Sequence, residues 1–399
     1  MTAVEWRAST SLASIFALRL LGLFLVLPVF ALEAAKFPGG DDPAKVGLAM
    51  GIYGLTQGVL QIPFGLASDR LGCKPVMIFG LLVFAFGSFL ATWAPTLDWL
   101  IAGRSLQGAG AISAAVTAML ADLTRDEVRT KAMTLVGGSI SVVFALSLVM
   151  GPLLVNLIGF KGLFTLTGLL ALAAIAAVVY WVPPEPPKLI GHSVGQIGSV
   201  IEVLKNPALL RLDLGVFVLH AVQLAMWVAI PALLVEAGLG KAQHWQIYLP
   251  VALVSFLVMW VTLFPLEKRG YLRAVFLASV GLILVVQIGF LAWPSVGSPS
   301  LVILATLLFS FFCGFNILEA SQPSLASRIA PANVRGAALG VYNTLQALGF
   351  FAGGTAGGWL AKAYGAPGVF AACAALMLLW LVVAWPMNII SRHHMAPAS

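Results

Sequence analysis

The sequence predicts an all-α membrane protein: twelve transmembrane helices in two pseudo-symmetric six-helix bundles. Three observations carry that prediction. Hydrophobic residues make up 60% of the 399-residue chain and charged residues only 9%, at a mean hydropathy of +1.01. A soluble domain carries about 25% charged residues. The apolar runs are long and continuous rather than alternating over about ten residues, which favours helices over a barrel. A span takes about 20 residues, so the chain holds roughly twelve and leaves almost nothing for a soluble domain.

Breaking the apolar runs at charge, Pro and Gly clusters places the spans in order. They run over 11–36, 44–68, 75–94, 97–121, 130–155, 160–182, 207–237, 244–266, 271–293, 299–327, 334–361 and 366–390. One long polar stretch, 183–206, separates the sixth from the seventh. It opens Pro183-Pro184-Glu185-Pro186-Pro187, which cannot be helical throughout. The stretch from Ser193 to Lys205 is suited to a short surface helix. The expected organisation is a six-helix bundle over 1–182, a cytoplasmic linker over 183–206 and a second bundle over 207–399.

Charge sets the expected orientation. With a cytoplasmic N-terminus, 15 Lys and Arg residues fall in cytoplasmic segments and 5 on the other side, with Arg19 and Arg104 inside spans. That asymmetry is the positive-inside pattern and puts both termini in the cytoplasm. It also accounts for the net charge of +7, because no basic stretch with interleaved aromatics suggests nucleic acid. The N-terminus lacks the layout of a cleaved signal. Cys73, Cys313 and Cys373 are too few and too far apart for a disulfide framework or a metal set. No phosphate-binding loop, metal cluster or Ser-His-Asp set is legible, so an ATP motor, a cofactor and an enzyme are not expected.

The two halves echo each other. Pro28 precedes Glu33 by five residues, as Pro231 precedes Glu236, at an offset of 203. Asp69-Arg70-Leu71-Gly72 has a degenerate echo in Glu267-Lys268-Arg269-Gly270. Val128-Arg129 maps to Val334-Arg335, and Gly151 to Gly357, both at 206. Parallel repeats of this kind hold a midplane substrate site between them.

The loop after the second span reads Gly65-Leu66-Ala67-Ser68-Asp69-Arg70-Leu71-Gly72-Cys73-Lys74-Pro75. It resembles the G-x-L-a-D-r-x-G-r-k signature loop of the major facilitator superfamily. Arg104-Ser105-Leu106-Gln107-Gly108-Ala109-Gly110-Ala111 resembles that superfamily's R-x-x-q-G-x-g-a motif, and Gly151-Pro152 a reduced antiporter motif. More narrowly, Gly51 to Gln57, Gln61 to Gly65, Asp122 to Arg125 and Glu319 to Ser324 look like the YajR-like branch of the drug:proton antiporters, without the small C-terminal soluble domain that some members add.

That resemblance implies a cytoplasmic latch built from Gly65, Asp69, Arg70, Gly72 and Lys74, with Asp122 as the helix 4 carboxylate. In the family the aspartate caps helix 11 and pairs with basic loop residues. A carboxylate at Asp69 opposes its own helix dipole and suits the N-terminus of a neighbour. A charged loop that only sets topology is the plainer reading. Where the pattern puts a basic residue after Gly72, this chain has Cys73. Lys74 and Arg70 remain as substitutes, but lysine lacks the planar fork of arginine. The latch is therefore expected to be weak, and Cys73→Arg to favour the cytoplasm-closed state.

Ionisable groups inside spans are costly and point to function. Arg104 has Gln107 one turn on; the resemblance ties it to proton coupling, and snorkelling to the interface is the alternative. Arg19 and Glu319 sit at matching depths, about 10 Å and 13 Å from the cytoplasmic ends of their helices at 1.5 Å per residue. Glu319, pairing alternately with Arg19 or a proton, makes a coupling switch; a structural ion pair is the other reading. His220 lies mid-helix with Gln223 and Trp227 at i+3 and i+7, either titrating near neutral pH or packing through a hydrogen bond. Glu33 and Glu236 match across the repeat as outer-gate positions or exposed interfacial acids.

Three polar stripes complete the candidates: Tyr53, Gln57 and Gln61; Asn316, Glu319 and Gln322; Asn343 and Gln346. Such stripes bind substrate or bond helices together. The expectation is a secondary transporter working by alternating access. It exports amphipathic or hydrophobic small molecules against inward proton flow. A sugar or metabolite exporter, a lysolipid flippase and a nontransporting membrane sensor are the alternatives. The expected partners are a small molecule, protons and membrane lipid, with the chain a monomer in a bacterial inner membrane.

Overall fold

The computed structural model describes residues 1–185, 195–292, 300–331 and 334–387. The start of the expected linker helix, Pro186-Pro187 and the end of the last span lie outside them. The helices in order are α1 (Ala3–Ala34), α2 (Pro43–Leu71), α3 (Cys73–Thr92), α4 (Leu97–Ala109), α5 (Ser113–Asp122) and α6 (Asp126–Tyr180). Then come α7 (Gly195–Lys205), α8 (Pro207–Glu236), α9 (Trp245–Lys268), α10 (Leu272–Ala292), α11 (Leu301–Ile329) and α12 (Arg335–Ala384). α7 is the linker helix. The rest make twelve crossings, because α6 and α12 each fold back once and α4 and α5 share one crossing. Apolar side chains such as Phe86, Leu157 and Val302 point outward as a lipid-facing belt.

Local chemistry starts these helices where proline and a short polar side chain meet. Asp42 caps α2, its Oδ1 accepting from Ala44 N–H at 2.9 Å, with Pro43 in the first turn. Asn206 and Pro207 start α8 in the same way. The fold-backs need glycine. Gly159 in α6 has φ 72° and Gly365 in α12 has φ 67°, a region that disfavours any Cβ. These two lie 206 residues apart, the offset of the Gly151–Gly357 echo. Gly72 and Gly270, which close the signature loop and its echo, also have positive φ.

The fourth crossing departs from expectation. A continuous helix over 97–121 is interrupted at Gly110-Ala111-Ile112. The cause is a close approach to α3: a Cβ on Gly110 would lie 2.4 Å from Gly80 O. Small residues here let two backbones touch.

An even number of crossings puts both ends of the chain on one face, the terminal face; the other is the far face. The halves meet through α2 and α12. A Cβ on Gly47 would lie 2.2 Å from Gly354 O, on Gly51 2.7 Å from Phe351 O, and on Gly54 2.3 Å from Ala347 O. Gly58 is looser, 3.3 Å from the Leu348 side chain. Continuing toward the terminal face, Gly340 and Gly336 meet nothing within 4 Å among the described residues. The halves are therefore zipped at the far face and apart at the terminal face.

Candidate functional site

In the first half the charges deep within the spans are cations, while the buried acids Glu5 and Glu33 sit at the ends of α1. Arg19 and Arg104 are 0% and 1% exposed. Arg19 donates to Tyr53 Oη at 2.8 Å and Ser113 Oγ at 3.4 Å. Arg104 donates to Gln107 Oε1 at 2.8 Å, and Gln107 donates on to Ser88 Oγ at 2.8 Å. The Tyr53 ring lies between the two guanidiniums, 5.9 Å from Arg19 Cζ and 5.1 Å from Arg104 Cζ. Phe84 flanks Arg19 and Phe30 flanks Arg104. The Nε of each arginine has no hydrogen-bond partner among the described residues. Ring faces and neutral oxygens thus stabilise two charges that would otherwise be very costly.

In the second half they are acids around a histidine. His220 Nδ1 lies 2.8 Å from Val216 O. A carbonyl only accepts, so Nδ1 carries the hydrogen. His220 Nε2 lies 3.2 Å from Glu319 Oε2, within ion-pair range though not aligned for an N–H bond. Gln346 Nε2 lies 2.7 Å from His220 Nε2 and donates to Glu319 Oε1 at 3.3 Å. The Phe350 ring stands edge-on to the imidazole at 4.8 Å.

The expected Arg19–Glu319 pair is not formed in this conformation. Matching depth did not make the two side chains face each other: Tyr53, Phe84 and Ser113 turn Arg19 into its own bundle. Arg104 does not snorkel, since its guanidinium is buried on Tyr53 and Gln107. Asn316 donates to Ser255 Oγ at 3.0 Å and so bonds α11 to α9. Trp227 stands edge-on to Tyr248, and Gln223 is buried beside it. Gln61 is buried with an unpartnered Oε1, whereas Gln57 and Asn343 are half-buried. Tyr53 therefore belongs to the arginines and Gln346 to the acid pair.

The far face carries cross-half ion pairs. Lys241 of the second half bonds Glu33 of the first, which Lys36 also contacts at 2.8 Å. Lys362 donates to Asp42 at 2.9 Å. The Lys362 ammonium bonded to Asp42 holds that carboxyl below its ordinary pKa. Glu236 lines a vestibule of about 740 Å³ beside these pairs, walled mainly by alanine, valine and leucine from α1 and α8.

At the terminal face, Lys74 is held by a backbone carbonyl. Its Nζ donates to Val182 O at 2.8 Å. The linker's Glu185 accepts from the Cys73 and Lys74 N–H groups at 2.9 and 2.5 Å, capping α3. Cys73 is fully buried, so an arginine there would displace packing before it reached a carboxylate. Gly65 is in ordinary contact with Ala114, while Arg70 and Asp122 are exposed. The side chain of Asp69 lies outside the described ones. In the echo of this loop, Glu267 pairs with Arg328 at 2.5 Å.

Sequence reasoning passed over Asp213 and Tyr342. Asp213 on α8 is 3% exposed with an unpartnered Oδ2, and Tyr342 on α12 is 2% exposed with an unpartnered hydroxyl. An acid inside an apolar run was the available signal.

The Major Facilitator Superfamily model matches residues 12–354. Inner membrane transport protein YajR of Escherichia coli is 41% identical over 97% of this chain and 85% of its own. Multidrug resistance protein MdtL of Shewanella oneidensis is 27% identical over 76% of this chain and 77% of its own. A bacterial homologue of the human lysosomal transporter Spinster, solved inward-facing and occupied, superposes with a TM-score of 0.75 over the whole of both chains. Its 13% identity speaks to the fold alone. The twelve crossings, the signature loop and these matches agree: the chain belongs to the major facilitator superfamily of membrane transporters.

Proposed function

We propose that this transporter is a proton-coupled exporter of amphipathic or hydrophobic small molecules, with Glu319 and His220 sharing the coupled proton. The observation that carries the reading is the committed Nδ1 of His220. With Nδ1–H held by Val216 O, Nε2 is the ring position left to gain or lose a proton. It faces Glu319 Oε2 at 3.2 Å. Without the added proton the ring is neutral, and the Gln346 amide serves both Nε2 and Glu319 Oε1. With it, one hydrogen lies between Oε2 and Nε2 after a small rotation of the carboxyl, and the pair turns from anionic to neutral.

The Glu319 side chain is 25% exposed. A substrate in the space between the halves and a proton thus compete for the same carboxylate. Mutual exclusion at one site is the thermodynamic condition for exchange. The zipped far face and parted terminal face represent one end of the alternating-access cycle. The 15 to 5 charge asymmetry supports a cytoplasmic terminal face, in which case this end is open to the cytoplasm. Asp69, Arg70 and Asp122 then serve as the latch that engages when the terminal face closes. Relatives named multidrug resistance proteins support amphipathic cargo.

Proteoliposomes under an imposed pH gradient test the reading, with tetraphenylphosphonium as the first probe and a panel of neutral amphipaths after it. The wild type is expected to release protons when a transported compound is added. Glu319→Gln should abolish that release and Glu33→Gln should keep it. Release that survives Glu319→Gln overturns the assignment.

A further inference from the structure

A second buried carboxylate stands between the Glu319–His220 pair and the terminal face, and the mechanism above does not use it. Asp213 lies seven residues before His220 on α8, two turns along the same face, or about 10 Å at 1.5 Å per residue. Across from it on α12, Tyr342 lies one turn before Gln346, which contacts both His220 and Glu319. The stripe Asp213–Val216–His220 therefore runs beside the stripe Tyr342–Gln346. The two helices run in close register here: a Cβ on Gly349 would lie 2.5 Å from Phe217 O and one on Gly353 2.1 Å from Ala221 O, and the same register brings Tyr342 to within about one turn of Asp213.

Both groups are buried and both lack what a structural role would supply. Asp213 Oδ2 and Tyr342 Oη have no hydrogen-bond partner among the described residues. Tyr342 is the titratable group that faces Asp213 from α12. Glu319 faces Tyr342 from α11, and His220 is the titratable group next along α8. No cation pairs with Asp213 among the described residues, although its side chain is buried. A carboxylate kept this deep without a partner is costly, and a packing role does not need one.

We propose that Asp213 and Tyr342 form a proton relay between the Glu319–His220 pair and the terminal face. The proposal rests on the proton-coupled reading above. In the outward step of the relay, the hydrogen on Glu319 passes to the Tyr342 oxygen as the Tyr342 hydrogen passes to an Asp213 oxygen. Neither bond is formed in this conformation, so the transfer requires a side-chain rotation or a bridging water that joins Tyr342 Oη to both carboxylates. The tyrosine ends as it began, Glu319 is left as carboxylate and Asp213 as the acid. Asp213 then loses its proton at the terminal face. Uptake runs the same bonds in reverse. Asp213 is thus a positioning and relay residue, distinct from the pair that meets substrate.

The test uses the whole protein in detergent with a pH-indicator dye. A stopped-flow jump from about pH 8 to about pH 6 spans the histidine range. The proton uptake missing in Glu319→Gln defines the signal of the coupled site. Asp213→Asn and Tyr342→Phe are each expected to leave the size of that signal intact and slow it about 100-fold. Added formate should restore the rate in Asp213→Asn, and Asp213→Glu should retain it. Melting temperatures of both variants should equal or exceed the wild type, because Tyr342→Phe removes an unsatisfied hydroxyl and Asp213→Asn a buried charge. If Glu319→Gln removes no proton, the coupled-site reading fails. If it does, and both relay variants take up that proton at the wild-type rate, the relay alone is overturned. A slowed rate that formate leaves unchanged in Asp213→Asn, joined to a lowered melting temperature in both variants, also overturns it in favour of packing.

Discussion

The two halves share a backbone plan and differ in the sign of the charges they carry deep within their spans. Each folds back at a positive-φ glycine in its last long helix, Gly159 and Gly365, and each closes its loop after the second crossing at another, Gly72 and Gly270. Yet deep inside its spans the first half carries Arg19 and Arg104, while the second carries the buried Asp213 and His220 with the partly exposed Glu319. At the far face the signs reverse, with Glu33 and Asp42 from the first half meeting Lys241 and Lys362 from the second. The difference teaches that repetition governs the backbone plan of the bundles, while the charged side chains are divided between them. Arginine holds a fixed charge, whereas the proton proposed for the coupled step is shared by the Glu319–His220 pair. On the proposed reading, the first half supplies a fixed field and the second a switch.

The largest way to break this contrast is to remove the ring between the two arginines. Tyr53→Ala deletes a buried aromatic and uncovers two guanidiniums, which should cost about 3–5 kcal/mol or more. Tyr53→Phe keeps both cation–ring contacts and loses only the oxygen that Arg19 donates to, so about 1–3 kcal/mol is expected. Thermal unfolding in one detergent ranks the two. Equal losses would mean that the ring face does not hold the charges, and that the first half's field depends on the hydroxyl instead.

A fixed field on one half and a switch on the other matter only if the halves part and close as bodies. The glycine zipper tests that. A Cβ on Gly54 would stand 2.3 Å from Ala347 O, whereas a Cβ on Gly340 meets nothing within 4 Å. Gly54→Ala should therefore destabilise the present conformation by about 1–3 kcal/mol, and Gly340→Ala should not. With single cysteines placed along α2, Gly54→Ala is expected to raise labelling from the far face and lower it from the terminal face. Unchanged labelling in Gly54→Ala would show that α2 and α12 do not set the balance between states.

What the sequence made legible follows from the solvent. Lipid forces each span to be a long apolar run, so the crossings and the linker could be placed from composition and punctuation. The same cost made Arg19, Arg104, Glu319 and His220 stand out, and the structure buries all of these except the partly exposed Glu319. Partners were not legible. Depth along a helix is readable from residue count, but rotation about its axis is set by packing, and Arg19 turned toward Tyr53 rather than Glu319. The break at Gly110 was hidden for the same reason, because its cause is Gly80 on another helix. Asp213 sits only seven residues into α8 and reads as a helix-end charge until α12 is seen to cover it.

The smallest effect lies at the far face, where the signs of the two halves are exchanged. Asp42 and Lys362 are solvent-accessible, and such pairs contribute little and are screened by salt. The bond from Lys362 lowers the Asp42 pKa in the folded protein. Its contribution is therefore complete above the ordinary aspartate value and disappears as pH falls through the lowered one. Lys362→Gln should remove that acid-side dependence of the closed far face and leave the neutral-pH balance nearly unchanged. The exchange Asp42→Lys with Lys362→Asp restores the attraction but reverses the signs. If the double variant labels like wild type while either single variant opens, attraction between the halves is what this pair provides. If the double variant stays open, the capping of α2 by Asp42 is the larger role, since a lysine at that position cannot accept the Ala44 N–H.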